Sequence, residues 1–250
     1  MIIWIASYPK SGNTWVRAFL SAYYFCDNGI FDIKRLHKIE DYPNKQFFQS
    51  EVKDGEIHKH WEDSQEKILK EKKIKFLKTH NSLIKAYGND FTKPKYSLGV
   101  IYIIRDPRNV ITSLKNHNDF GSYDEALKLM QNDNAVLKDY KHLKNYAKTT
   151  IINSWRINYQ SWLRNNYYRR INLKYEDMIE NPLRTFRDLI IFINAICRFN
   201  DGKYIAWNLN KVKEPKWYVK PLPKNSKFGD NTLVDKDVGD LMKCDGVELI

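Results

Sequence analysis

The 250-residue chain has little cysteine, little glycine and no long apolar run. Cys26, Cys197 and Cys244 lie far apart and form neither a CxxC pair nor a metal-ligand cluster with the six histidines. That excludes a disulfide framework or a zinc module and leads us to expect reduced thiols in a cytoplasmic protein. Ten glycines and eight prolines exclude a collagen-like or linker composition. No stretch approaches the roughly 18 uninterrupted apolar residues of a membrane span. Ile2–Ala6 is a short apolar run leading straight into Pro9-Lys10-Ser11-Gly12, so no signal peptide is expected either. Acid is scarce as well: 30 Asp and Glu face 42 Lys and Arg, a net charge of +12.

Hydrophobic residues make up 42% and aromatics 14%, enough to build a core and to exclude wholesale disorder. The basic balance points to an anionic partner, whether nucleic acid, anionic lipid or a phosphorylated or sulfated small molecule. It is unevenly spread, because two Lys stand against six Asp and Glu between Gly229 and Ile250. Residues 1–228 therefore read as one α/β domain and 229–250 as an acidic tail for which little order is expected. The basicity of the body is diffuse and no nucleic-acid motif is recognisable, so no nucleic-acid partner is expected.

Ile2–Ala6 reads as a buried strand, Ser7–Gly12 as a polar loop, and Thr14–Phe25 has the apolar spacing of a helix. Residues 27–60, with Pro43 and several Asn and Asp, read as an irregular excursion that could cover a site. Strands are expected at Ile74–Leu77 and Gly99–Ile104. The second runs into Arg105-Asp106-Pro107-Arg108, where Pro107 suits a first helical turn, with a helix to about Lys115. Amphipathic segments near Tyr123–Tyr140 and Thr149–Asn165 follow. Trp155, Tyr159 and Trp162 share one helical face, which reads as a core stripe. Ile171–Lys174 reads as a strand, and Pro182 opens a helix to about Ala195. Short buried strands alternating with helices predict a single α/β domain. Its sheet is mostly parallel and flanked by helices, with a P-loop-like strand–loop–helix at the N-terminus.

That opening unit is an anion site in outline. Unpaired amides at the helix start converge on the loop, the helix dipole adds positive charge, and Lys10 adds a full one. There is no GxxxxGK[ST], so the loop is not a Walker A sequence. Residue by residue it reads as a phosphate or sulfate site, against a plain glycine turn beside a surface lysine. Arg105 and Ser113, eight residues apart at a strand end and in the next helix, could hold a second phosphate. Arg105 could equally pair with Asp106. Lys78-Thr79-His80 follows another strand, and strand ends line the ligand crevice of doubly wound sheets. His80 there suits a general base, or a purely structural role.

Together these motifs resemble the sulfotransferases that use 3′-phosphoadenosine 5′-phosphosulfate (PAPS), of the cytosolic type. Tyr8-Pro9-Lys10-Ser11-Gly12-Asn13-Thr14-Trp15 is similar to their 5′-phosphosulfate loop, with Asn13 where a threonine is common. Arg105 to Ser113 resembles their 3′-phosphate motif, and Leu77-Lys78-Thr79-His80 the segment with the catalytic histidine. Leu173 to Met178, then Glu180-Asn181-Pro182, resembles the segment whose tyrosine contacts the cofactor. These four motifs stand in the family's order across residues 2–196. Their basic closing loop is poorly matched by Asn225-Ser226-Lys227-Phe228-Gly229-Asp230.

The resemblance implies that Lys10 contacts the bridging oxygen between sulfate and phosphate. Ser11, Gly12, Asn13 and Thr14 would hold the 5′-phosphate, Trp15 would lie against the adenine, Arg105 and Ser113 would bind the 3′-phosphate, and Tyr175 would reach the nucleotide. His80 would deprotonate the acceptor hydroxyl or amine with Lys78 beside the sulfuryl group. No metal is required, the product is 3′-phosphoadenosine 5′-phosphate (PAP), and the acceptor is a small molecule, saccharide or lipid. Two other readings share parts of this pattern: a P-loop phosphotransferase, and a non-catalytic polyanion-binding protein on the same fold.

Overall fold

The computed structural model describes residues 1–48, 51–118, 120–139 and 148–201. The expected domain limit at 228 and the acidic tail lie outside the described residues. The strands are β1 (Ile2–Ser7), β2 (Glu40–Asp41), β3 (Lys75–Thr79), β4 (Lys85–Ala86), β5 (Asn89–Asp90), β6 (Ser97–Ile104), β7 (Val136–Asp139), β8 (Lys148–Ile151) and β9 (Arg170–Lys174). The α-helices are α1 (Asn13–Phe25), α2 (Trp61–Leu69), α3 (Pro107–His117), α4 (Tyr123–Gln131), α5 (Trp155–Leu163), α6 (Tyr175–Glu180) and α7 (Pro182–Asp201).

Five strands form an all-parallel sheet in the order β2-β3-β1-β6-β9. β1 is central and every residue of it is buried, as its unbroken apolar run dictates. Its side chains alternate between two layers. Ile3 and Ile5 pack with Val16 and Leu20 of α1 and with Leu189, Ile190 and Ile193 of α7. Ile2, Trp4 and Ala6 face the opposite layer with Trp61 of α2 and Trp162 of α5. The buried Trp4 indole donates to Ser97 Oγ at 2.7 Å, which satisfies its one polar atom. α7 sits close over β6 because Gly99 has no side chain: a Cβ there would come within 2.6 Å of Ile196 Cδ1.

Register aligns the strand ends. Ala6 lies beside Thr79, Ser7 beside Ile103, and Ile104 beside Lys174. The residues that follow β1, β3, β6 and β9 therefore emerge along one edge of the sheet, where parallel topology opens a crevice.

Several segments differ from the sequence expectation. The excursion before residue 60 carries three short 3-10 turns, at Ile33–Lys38, Lys45–Phe47 and Ile57–His60, as well as β2. The helix near Tyr123–Tyr140 stops at Gln131. Asn132 Oδ1 then accepts from the Asn134 amide at 2.9 Å, a side-chain turn that ends the helix, and the chain leaves as β7. β7 pairs antiparallel with β8, which occupies the start of the second amphipathic segment. α5 begins only at Trp155, capped by Ser154, whose side chain accepts from the Ile157 amide. Trp155, Tyr159 and Trp162 form the expected core stripe, with the first two rings stacked at 5.1 Å. No helix among the described residues is long and apolar enough to cross a membrane.

Candidate functional site

The loop between β1 and α1 turns on two left-handed residues, Lys10 (φ 66°) and Gly12 (φ 99°). Gly12 is the N-cap of α1, with no side chain closing the first turn, so the helix amides are presented to the crevice. A Cβ on Gly12 would lie 2.5 Å from Cδ2 of Tyr175, so space and backbone both demand glycine. Arg105 Nη1 donates to the Lys10 carbonyl at 2.8 Å, and its guanidinium lies 4.2 Å over the Tyr175 ring. The first turn of α1, the end of β6 and the start of α6 are thus locked together. Asp106 does not pair with Arg105: Arg108 Nη2 holds its carboxylate at 2.5 Å while the same carboxylate caps α3. Burial pushes the Asp106 carboxyl up, but the Arg108 hydrogen bonds outweigh it and hold it below the usual range.

A cavity of about 520 Å³ opens at this edge. Lys10, Gly12, Asn13 and Thr14 line it from the loop and α1, Lys78 from β3 and His80 just after it, Arg105 just after β6, Ser113 from α3, and Tyr175 from α6. Ser11 is buried beneath the loop. Trp15 stands behind the wall, edge-on to Tyr175 and Phe186 at 6.1 and 5.8 Å. His117, Asn118 and Leu137 extend the cavity beyond what the motifs marked.

Burial and then the nearby Arg105 charge lower the Lys10 pKa below its ordinary 10.5. Arg105 Nε is buried without a hydrogen-bond partner. Two cations held together, one with an unanswered donor, cost free energy that an anion between them would recover. The residues present therefore fit a phosphate-bearing ligand.

The other wall is organised differently. His80 Nδ1 lies 2.8 Å from the Ser7 carbonyl. A carbonyl can only accept, so Nδ1 carries the hydrogen and the lone pair sits on Nε2. The buried Asn158 donates to the His80 carbonyl at 3.0 Å, and Tyr102 holds Asn158 Oδ1 at 2.9 Å. Asp41 Oδ1 lies 3.4 Å from both Lys78 Nζ and Arg17 Nη1, and Arg17 Nη2 donates to the Ile39 carbonyl at 2.6 Å. Sequence reading found Lys78 and His80 but not Asp41, Arg17, Ser7 or Asn158. A two-residue edge strand carries no periodicity to mark Asp41. Ser7 directly precedes the loop motif, which was the one available signal.

A family model described as "Sulfotransferase domain" matches residues 2–203. No curated protein matches the chain. Among solved structures, mouse sulfotransferase SULT7A1 complexed with PAP is 17% identical, with 77% of this chain and 57% of that one covered at a TM-score of 0.45. Retinol dehydratase with androsterone and PAP is 15% identical, with 77% and 59% covered at 0.42. The same enzyme with retinol and PAP is 16% identical, with 79% and 63% covered at 0.42. The chain thus spans 57–63% of the length of these structures.

Proposed function

Because the chain belongs to the sulfotransferase domain family, we propose that it moves a sulfuryl group from PAPS to a hydroxyl or amine acceptor, leaving PAP. The observation that carries this reading is the convergence of Lys10, Lys78, His80, Arg105 and Ser113 on one cavity. The nucleotide supplies the activated sulfuryl group.

Arg105 and Ser113 hold the 3′-phosphate, where a guanidinium offers paired donors. Tyr175, braced between Gly12 and Arg105, flanks the nucleotide, and Trp15 behind it supports the adenine. The loop from Ser11 to Thr14 holds the 5′-phosphate through backbone amides and the Thr14 hydroxyl. Lys10 stabilises charge on the bridging oxygen as that bond breaks, and Lys78 neutralises the group in transit. His80 Nε2 takes the acceptor proton as the new oxygen– or nitrogen–sulfur bond forms. Sulfuryl transfer, like phosphoryl transfer, is in-line with charge growing on the leaving oxygen, so positioning and electrostatics dominate. Lys10 and Lys78 supply that stabilisation, which supports a route requiring no metal.

The acceptor is a small molecule, and a saccharide or lipid hydroxyl fits the same chemistry. A cytoplasmic setting is supported by the free thiols of Cys26 and Cys197. The test is incubation with sulfur-labelled PAPS and acceptor mixtures, beside calorimetry with PAP. Label transfer and PAP binding are expected. Folded protein that does not bind PAP overturns the reading, and magnesium-dependent ATP turnover in its place would establish the phosphotransferase alternative.

A further inference from the structure

Asn13 stands at the loop position where its side chain could have faced the cavity, yet its amide is turned back into the protein. Asn13 Nδ2 donates to the Ile5 carbonyl at 3.0 Å and to Ser7 Oγ at 3.2 Å. The carbonyl can only accept, so the amide orientation is set by chemistry. Ser7 Oγ in turn lies 3.3 Å from His80 Nδ1, whose hydrogen already faces the Ser7 carbonyl at 2.8 Å. Asn13 and Ser7 are both buried. A buried hydroxyl that accepts from a fixed amide has its rotamer held, and here that rotamer aims an oxygen at the imidazole.

We propose that Asn13 is a positioning residue for His80: through Ser7 Oγ it gives the Nδ1–H a second acceptor beside the Ser7 carbonyl, keeping the lone pair on Nε2 and stabilising the imidazolium. This deepens the sulfuryl-transfer reading and rests on it for its catalytic meaning. The placement of the ring hydrogen does not rest on it. The device links the two walls of the cavity, since the first residue of α1 orients the side chain that follows β3. The charged and titratable groups sharing the cavity with His80 are Lys78 on β3, Lys10 on the loop, Arg105 after β6, His117 on α3 and Tyr175 on α6. All three fixed charges are positive and oppose the imidazolium, so two acceptors at Nδ1 act against that repulsion.

The experiment is nitrogen NMR of isotope-labelled histidine in the full chain, without nucleotide or acceptor, with His80 assigned from a His80→Gln variant. Wild type is expected to show the hydrogen on Nδ1. Asn13→Ala and Ser7→Ala should each give a mixed tautomer and a lower titration midpoint for His80. The double variant should do no more than either single one, because the two act through one path. Where turnover is measured, each single variant should lower kcat about three- to tenfold, the scale of one lost hydrogen bond, and Ser7→Ala, which lies outside the phosphate loop, should do so with PAP affinity unchanged. An unchanged His80 tautomer and midpoint in folded Ser7→Ala overturns the proposal even if Asn13→Ala does not fold. An altered tautomer in a chain that never transfers sulfate would instead uphold the relay and sink the enzymatic reading.

Discussion

The two walls of the cavity meet positive charge in opposite ways. On the loop wall, Lys10 and Arg105 stand close enough for the second to depress the pKa of the first, and among the described residues neither forms an ion pair. Arg105 spends one donor on a backbone carbonyl and keeps a buried one unanswered. On the β3 wall, Lys78 shares Asp41 with Arg17, and His80 has its ring and its carbonyl hydrogen-bonded to the protein. One wall is unbalanced until an anion arrives. The other has its lysine paired and its histidine hydrogen-bonded beforehand, although Arg17 Nε there is also buried without a hydrogen-bond partner, and groups that act on a reacting atom need such a fixed geometry. Binding and chemistry are thereby divided between walls, and substitutions should separate them.

The largest expected effect is on the settled wall. His80→Ala should lower turnover at least about a hundredfold, the usual scale for a lost general base, and leave PAP affinity near wild type. Steady-state rates with labelled PAPS and calorimetry with PAP measure the two halves, and retained turnover would remove His80 from the mechanism. Next comes the unbalanced wall. Arg105→Ala deletes a charge-assisted contact worth about 1.5–3 kcal/mol, so PAP should bind roughly ten- to a hundredfold more weakly. Normal affinity in that variant would show that the 3′-phosphate does not sit at Arg105.

The loop wall was the more legible one in the sequence. Its residues lie in two short contiguous runs, 8–15 and 105–113, each joining a strong apolar strand to a helix, so each run was readable as a candidate anion site and the family resemblance joined the two. The β3 wall draws on residues far apart in the chain that no local pattern joins: Asp41 on a two-residue strand, Ser7 before the loop, and Asn158 inside a helix read only for its aromatics. Their partners lie 37 to 78 positions away. Asn13 shows the limit most sharply. Its position in the loop motif marked it for the phosphate, and no local pattern signalled that its side chain reaches back to the Ile5 carbonyl and Ser7 Oγ. The fold was readable where strands were long and apolar. It was missed at 132–139, where a side-chain turn rather than a glycine or proline ended the helix.

Acidity separates the walls again. Burial and then Arg105 disfavour the charged form of Lys10 and hold its pKa below 10.5. A bound nucleotide reverses the second cause, so binding should take up protons at alkaline pH. PAP affinity should be flat near neutrality and fall, by about tenfold for one lost charge-assisted contact, as pH rises through the lowered Lys10 pKa. Calorimetry in buffers of different ionisation heat checks the proton uptake. Lys10→Arg should move the fall to higher pH, and an unmoved fall would assign it elsewhere.

The smallest effect tests whether the division is real. Asp41→Asn removes the carboxylate shared by Lys78 and Arg17 without changing side-chain size. The pair is partly exposed, with Asp41 at 35% and Lys78 at 19% of side-chain surface, so solvent screens it and its worth is small. Turnover should fall about threefold as Lys78 loses its fixed position, within the range of about 0–1 kcal/mol for screened pairs. PAP affinity should hold or rise slightly, since one negative charge leaves the neighbourhood of Lys78 at the edge of a basic cavity. The informative quantity is the sign of the change in PAP affinity against Arg105→Ala measured at the same salt. Weakening of comparable size in both variants would mean that Asp41 supports nucleotide binding through Lys78, and the two walls would then be one electrostatic unit.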